Sequence, residues 1–328
     1  MHNARLLLFA IFAAGCLQTH AERMPRLKRS IHWADSMLTV RYLHSDIDTL
    51  YITRPPTMWT VKARFNISAS RIHIKGMYDD VSFASKMDAK RKSTLSAAIN
   101  YCGISVGLSI NPAKLLGRYN DTEANIHSYG KRTGFDIVYQ NAHNFKGWYE
   151  SDVEERISLP ADIMSLRAVT ASAYYVFNHR RFSYPAALSQ SYIQQRSCGS
   201  VLMAASYQGQ LAKIHEAIDS KLRVHNIGVG VGYGYNYVPS HKWLIHLSAL
   251  PTIIVYSHAT TRVDDERTRL KYDFPEFIFT GRCAVVRQIN RYFVGATVVY
   301  NLTHIGSSRH LQVDNSQMRA RAVVGYRF

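Results

Sequence analysis

The chain has 328 residues, with 40 Lys and Arg against 23 Asp and Glu and a formal charge of +17. So positive a balance draws anionic groups: lipopolysaccharide phosphates, acidic glycans or nucleic acid. An N-terminus that reads as an export signal and the lack of any DNA- or RNA-binding motif set nucleic acid aside. What remains is a solvated basic surface that meets negatively charged lipid.

Arg5 is followed by an apolar run from Leu6 to Leu17 and then Thr19-His20-Ala21. That run is too short to span a bilayer as a helix, which needs about 20 residues. It fits a signal-peptide core, with cleavage expected after Ala21. Cys16 offers a rival reading as a lipid-attachment cysteine, but Ala13 stands where a bulky Leu is usual. Removing residues 1–21 takes away one arginine and no acid, leaving +16. Beyond residue 21 the apolar runs, such as 253–256 and 298–300, are strand-sized. An exported chain of this kind is either soluble or crosses a membrane as a closed barrel, which satisfies its own backbone in lipid. Cys102, Cys198 and Cys283 remain after cleavage, too few for a disulfide framework, and are expected as small apolar fillers.

Residues 22–59 carry Arg26, Lys28 and Arg29 and end at Pro55-Pro56. They are expected to form a periplasmic extension too short for its own core, leaving 60–328 as the barrel. From Thr60 onward the period is two. Val61, Ala63, Phe65, Ile67 and Ala69 share one face, and Lys62, Arg64, Asn66 and Ser68 the other. Such alternation predicts a strand with one apolar and one polar side. Cys102, Ile104, Val106, Leu108 and Ile110 repeat the pattern.

Residues 227–237 set Ile227, Val229, Val231, Tyr233, Tyr235 and Tyr237 against Gly228, Gly230, Gly232 and Gly234. A soluble sheet rarely spends four alternate positions on glycine; glycines facing into a barrel leave room in a crowded lumen. With no helix pattern following, a phosphate loop is dismissed. Tyr292, Val294, Ala296, Val298 and Tyr300 share a face with Tyr at both ends. Eight steps at about 3.3 Å, tilted about 40°, give roughly 20 Å of height, near that of an apolar band edged by aromatic girdles. The 21 Tyr against 4 Trp suit such girdles.

The pattern predicts an all-β antiparallel transmembrane barrel of about 12 strands, with 10–14 open. The strands are expected at 60–75, 95–110, 132–140, 144–150, 165–178, 184–195, 198–208, 222–237, 242–257, 276–289, 291–303 and 319–328. In the second half, connections at 196–197, 238–241 and 290 are short, and 209–221, 258–275 and 304–318 are long and polar. That alternation suits periplasmic turns and external loops. The first half breaks it, because 111–131 and 151–164 become long periplasmic connections. A miscounted strand or short helices would explain this.

One stretch runs Tyr174-Tyr-Val-Phe-Asn-His-Arg-Arg-Phe-Ser-Tyr-Pro-Ala-Ala187 and continues through Gln190 to Ser197-Cys-Gly-Ser200. With Asp48-Thr-Leu-Tyr51, Asn111-Pro-Ala-Lys114 and Phe135-Asp-Ile-Val-Tyr-Gln140, it resembles domain of unknown function 4421, an outer-membrane family of Bacteroidota. The resemblance covers about 46–328. It implies an outer-membrane barrel and brings no reaction, substrate or catalytic residue. Cys198 stands where a small apolar residue is expected, which argues for packing.

Several groups carry side chains suited to chemistry. Arg180 and Arg181 beside Tyr184 could hold a phosphate or carboxylate with guanidinium forks, but a polar hairpin tip with Pro185 fixing its turn explains them more simply. Asp264, Asp265 and Glu266 lack the spacing of a calcium loop and sit among Arg262, Arg267 and Arg269, so an external salt-bridged loop is expected. Lys62, Arg64, Arg319, Arg321 and Arg327, with Arg223 if its strand is shifted, are expected in the lumen, where a basic ring would favour anions. His246 and Ser248 share a strand face within reach, but no GxSxG motif accompanies them.

No catalytic, cofactor-binding or metal residue is assigned. The function carried forward is a pore or transporter with a basic lumen in the outer membrane of a Gram-negative bacterium. A lipid-modifying enzyme and a structural or adhesive surface barrel stay open, with a soluble β-sandwich as the outside alternative. The expected partners are membrane lipid, including lipopolysaccharide, and the barrel-assembly machinery. The latter would engage the last strand, where Ala320, Ala322, Val324, Tyr326 and Phe328 share the lipid side opposite Arg319, Arg321 and Arg327.

Overall fold

Alternation of period two becomes long antiparallel strands. The computed structural model describes residues 46–55, 57–78, 80–102, 104–110, 122–143, 145–160, 163–214, 220–263, 266–270, 276–307 and 311–328, with six helical positions between Trp33 and Leu43. The expected signal segment, 1–21, lies outside the described residues.

After β1 (Ile52–Thr53), β2 (Trp59–Tyr78) turns at Asp80 and returns as β3 (Val81–Ala89) and β4 (Lys92–Tyr101). A turn at Cys102 (φ 47°) leads into β5 (Ile104–Ile110), followed by β6 (Thr122–Tyr129) and β7 (Thr133–Ala142). Next come β8 (Phe145–Ser151), β9 (Ile157–Leu159) and β10 (Met164–Val176). Residues 177–197 hold a short helix α1 (Tyr184–Leu188) and β11 (Ile193–Gln194). The chain then runs β12 (Cys198–Ile214), β13 (Ser220–Ser240), β14 (Trp243–Val263), β15 (Glu266–Leu270), β16 (Phe277–Ile289), β17 (Tyr292–Ser307) and β18 (Leu311–Arg327).

Among the described residues, twelve strands form a ring in the order β2-β4-β5-β6-β7-β10-β12-β13-β14-β16-β17-β18. It closes where β18 pairs with β2, from Arg327↔Thr60 to Leu311↔Gly76. Closure removes the sheet edges that would otherwise template aggregation. Strand β3 continues the path of β4, and β8 continues that of β7. Because β5 and β6 are short, β3 and β8 pair directly beyond them, from Ala89↔Phe145 to Phe83↔Ser151. The ring thus has a turn end, which holds the first residue of β2 and the last of β18, and a loop end.

The outer face is apolar. Val229, Val231 and Tyr233 of β13 are about half exposed, as are Leu247 of β14 and Val324 of β18. At the turn end Tyr292 stacks near Tyr326 (centroids 4.8 Å) and Trp59 near Tyr101 (4.4 Å). The inner face carries Lys62, Arg64, Asn66 and Arg327, all buried.

The expected strand number holds, but its composition changes in four places. The segment 95–110 is a hairpin, β4–β5, rather than one strand. Strand β6 lies inside the expected connection 111–131. The segments 132–140 and 144–150 are one interrupted path. The expected wall strand 184–195 is instead α1 and β11, inside the barrel. Splitting 95–110 restores the alternation, since β5 then ends, and β6 begins, at the loop end, where the β8–β9 region also lies. The expected long loops at 209–221, 258–275 and 304–318 are largely strand, because β12, β13, β14, β17 and β18 run on past their apolar stretch. Hydrophobicity stops where the outer face becomes polar; the backbone ladder need not.

Candidate functional site

The wall returns to the turn end at Val176, and 177–197 then folds into the lumen as a plug. Residues Phe182 to Tyr192 are all buried. Helix α1 forms there for local reasons. Ser183 is its N-cap, with Oγ accepting from the Ala186 N–H at 3.1 Å, and Pro185 occupies the first turn, where its missing N–H costs nothing. The helix ends at Ser189, and Gln190 takes a left-handed φ of 54°, as residues just past a helix commonly do.

Carbonyls at a helix C-terminus lack intrahelical donors. Here the wall supplies them: Lys62 Nζ donates to Ser189 O, and Arg327 donates to Gln190 O at 3.0 Å. Arg327 also donates to Gln288 Oε1 at 2.7 Å and lies over the Phe293 ring. Arg282 donates to Tyr184 Oη at 2.8 Å. Five of the six basic residues expected in the lumen are there. Arg223 is the exception: it is exposed on the outer face, since β13 continues in unbroken alternation from Ile227 back to it.

Asn236 of β13 binds the other end of the plug. Its Nδ2 donates to Ser183 O (2.9 Å) and Gln194 Oε1 (3.0 Å), while its Oδ1 lies 2.7 Å from His246 Nδ1. Gly234, on the same strand, leaves room for the Phe182 ring, which an added Cβ would meet at 3.0 Å. His246 Nε2 in turn lies 3.0 Å from Ser248 Oγ. Ser248, His246 and Asn236 therefore form a connected row resembling a nucleophile, base and orienting amide. All three are buried, and the Tyr184 ring packs against the imidazole (5.4 Å). With its amide tied to Ser183 O and Gln194 Oε1 and all three side chains buried beside the plug, the row seats the plug. Replacing Asn236 with Leu strands the Ser183 carbonyl and His246 Nδ1, a cost of about 3 kcal/mol. Gels of unheated and heated samples should show the unfolding midpoint of the barrel falling accordingly.

Below the plug lies a latch made by residues 46–53. Strand β1 pairs with β11 through Ile52↔Gln194 and Thr53↔Ile193. Arg181 pairs with Asp48 (3.1 Å) and Arg180 with Asp46 (3.0 Å). The two arginines do hold carboxylates, those of their own chain, which corrects their reading as plain turn residues. Lys131, in the β6–β7 turn, donates to Asp46 O. Burial, partly offset by the Asp46 carboxylate, pushes its pKa down to about 8. Because the ion pairs are exposed, Asp48→Ala should cost only about 1 kcal/mol globally. Hydrogen exchange at the Tyr51 and Ile52 amides, which donate to Asp48 O, should nonetheless rise.

Above the plug, Leu188 floors a chamber whose wall mixes polar side chains with apolar ones such as Val138, Leu250 and Ile278. Arg282, Arg319 and Arg321 line it against one carboxylate, Asp136, which accepts from Tyr129 Oη at 3.1 Å. Higher up, Thr303 of β17 donates to Gln208 of β12 at 3.2 Å, a hydrogen bond spanning the lumen. Elsewhere, Asp264 and Asp265 lie outside the described residues, while Arg267 and Arg269 of β15 are exposed. No group of three or more metal-ligating side chains occurs among the described residues. Among the described residues, Cys102, Cys198 and Cys283 form no disulfide.

Fold and site together define an antiparallel β-barrel closed at one end by an internal plug. The chain belongs to the family described as "Domain of unknown function (DUF4421)", whose model matches residues 46–328. Solved structures with a similar course include the outer membrane protease OmpT of Escherichia coli (9% identity, 82% of this chain and 97% of that one, TM-score 0.39). Others are the transport unit of the autotransporter AIDA-I of Escherichia coli (12%, 90% and 97%, 0.36) and OprG of Pseudomonas aeruginosa (9%, 83% and 97%, 0.31). Likenesses this distant carry no argument about activity. A search of curated proteins finds no match.

Proposed function

We propose that the chain is an outer-membrane barrel of a Gram-negative bacterium of the Bacteroidota, exported by residues 1–21, and that it is a gated conduit for small anionic solutes. The plug is the gate. The observation that carries this reading is the use of the lumen's cations. Lys62 and Arg327 hold a segment that joins the wall covalently at its two ends, while Arg282, Arg319 and Arg321 face the chamber above it. The test is conductance in planar bilayers, comparing the full chain with one lacking residues 183–192.

The outer face supports the membrane location. Beyond the apolar band at the loop end, Arg167, Leu211, Arg223, Thr260 and Arg269 follow one another across four strand pairings. The three arginines of this row are exposed. The row lies four residues beyond the Tyr207–Ile227–Tyr256 row, or about 10 Å higher for tilted strands. Cations at that height suit lipopolysaccharide phosphates, which supports a loop end facing outside the cell. The turn end, with Phe328, then faces the periplasm and the assembly machinery. Phe328 is exposed and its N–H donates to Trp59 O at 3.3 Å, so deleting it removes little packing. Its loss should lower the yield of folded barrel in cells while leaving the unfolding midpoint of purified barrel within about 0.5 kcal/mol.

A further inference from the structure

The chamber above the plug has more structure than a passage for ions requires. Two strands apart on the wall, Arg319 and Arg282 lie in one row, linked through Val299. The next row towards the loop end carries Gln317, Asn301 and Thr280, and the one beyond it Asn315 and Thr303. Cationic side chains thus sit at the bottom and neutral amides and hydroxyls above. From the arginine row to the Thr303–Gln208 crossing is four residues, about 10 Å along the axis for strands tilted about 40°.

Three buried polar atoms lining this space have no hydrogen-bond partner within the protein: His127 Nε2, Ser206 Oγ and Asn315 Oδ1. Buried polar groups left this way cost stability unless something completes them. They lie on β6, β12 and β18, on different sides of the chamber, so one guest would have to reach them all. The required guest is short, anionic at one end and studded with hydroxyls.

We propose that the chamber is a binding site for a single acidic sugar, with its carboxylate held by Arg282 and Arg319 and its hydroxyls by His127, Ser206, Asn315 and Gln317. This rests on the conduit reading, since the ligand would be the solute the gate admits. Tyr129 and Tyr174 supply apolar surface at the chamber wall, as sugar-ring faces require.

Calorimetry on the folded full chain in detergent, with glucuronate as probe, tests the site. Glucuronate should bind at least about tenfold more tightly than glucose, the factor expected for one charge-assisted hydrogen-bonded pair. Arg319→Gln should remove that difference. Asn315→Ala should weaken glucuronate and leave acetate unchanged, which a merely electrostatic lumen would not do. Equal affinity for glucuronate and glucose, or for glucuronate and acetate, would overturn the proposal. Heat-modifiable mobility of both variants verifies that they are folded. The conductance experiment fails or succeeds without sugar: a plug-deleted barrel that conducts, when the full chain with its floor intact does not bind glucuronate, sinks the ligand alone. Binding without conductance sinks the gate alone.

Discussion

Replacing residues 183–192 with a short Gly-Ser linker is expected to raise single-channel conductance at least about tenfold over the full chain, with preference for anions. The segment removed includes α1 and the buried side chains from Tyr184 to Tyr192. Its wall partners are mixed: Leu202, Leu244, Leu250 and Val286 pack against its apolar side chains, while Lys62, Arg282 and Arg327 bind it through hydrogen bonds, and these cations, once released, draw water into the vacated floor. Lys62 and Arg327, released from Ser189 O and Gln190 O, would then line the open passage beside Arg64 and Arg321. The wall should survive, because ring closure rests on β18–β2 pairing from residue 311 to 327 and not on the plug. A variant that keeps heat-modifiable mobility and shows no conductance would refute the gate.

Arg327→Met has the second-largest expected effect, on seating of the plug rather than on its presence. Arg327 is 2% exposed, and its guanidinium donates to Gln190 O and Gln288 Oε1. Methionine keeps the packing against Phe293 but leaves both acceptors unpaired, about 1–3 kcal/mol each. Some of this is offset because a buried cation close to Lys62 is removed along with its desolvation cost. The net loss should be about 2–4 kcal/mol. It should appear as protease cleavage within 183–192 and as brief openings in single-channel records. A fall in global stability with the plug still protected would show that Arg327 braces the wall alone.

The residues that defeated a one-dimensional reading have a common physical character. Ser183, Pro185 and Ala186-Ala187-Leu188 did carry a signal for α1: an N-cap, a first-turn proline and good helix formers. Five residues are too few to show a period of 3.6, so the same stretch passes for a strand of mixed polarity. Strand β6 went unseen because Thr122, Ala124, Ile126 and Ser128, which alternate with Glu123, Asn125 and His127, are too weakly apolar to stand out, and its strand character comes from pairing with β7. Cys102 marks the β4–β5 hairpin by a positive φ that no local composition announces. The acidic partners of Arg180 and Arg181 lie over 130 positions away, at Asp46 and Asp48.

Phe328 and the alternation leading to it were legible alone. Which residues face lipid and which face the lumen follows from period two, because successive side chains must point to opposite sides of a strand. Hence Val324 faces outward and Arg327 inward before any fold is known. What the inward residues touch is another matter. Nothing local distinguishes a lysine that lines an open pore from Lys62, whose ammonium holds Ser189 O of a plug 127 residues away. That choice depends on whether the chain between two wall strands turns back outside or folds within. Only closure of the ring, which brings β2, β18 and α1 together, decides it.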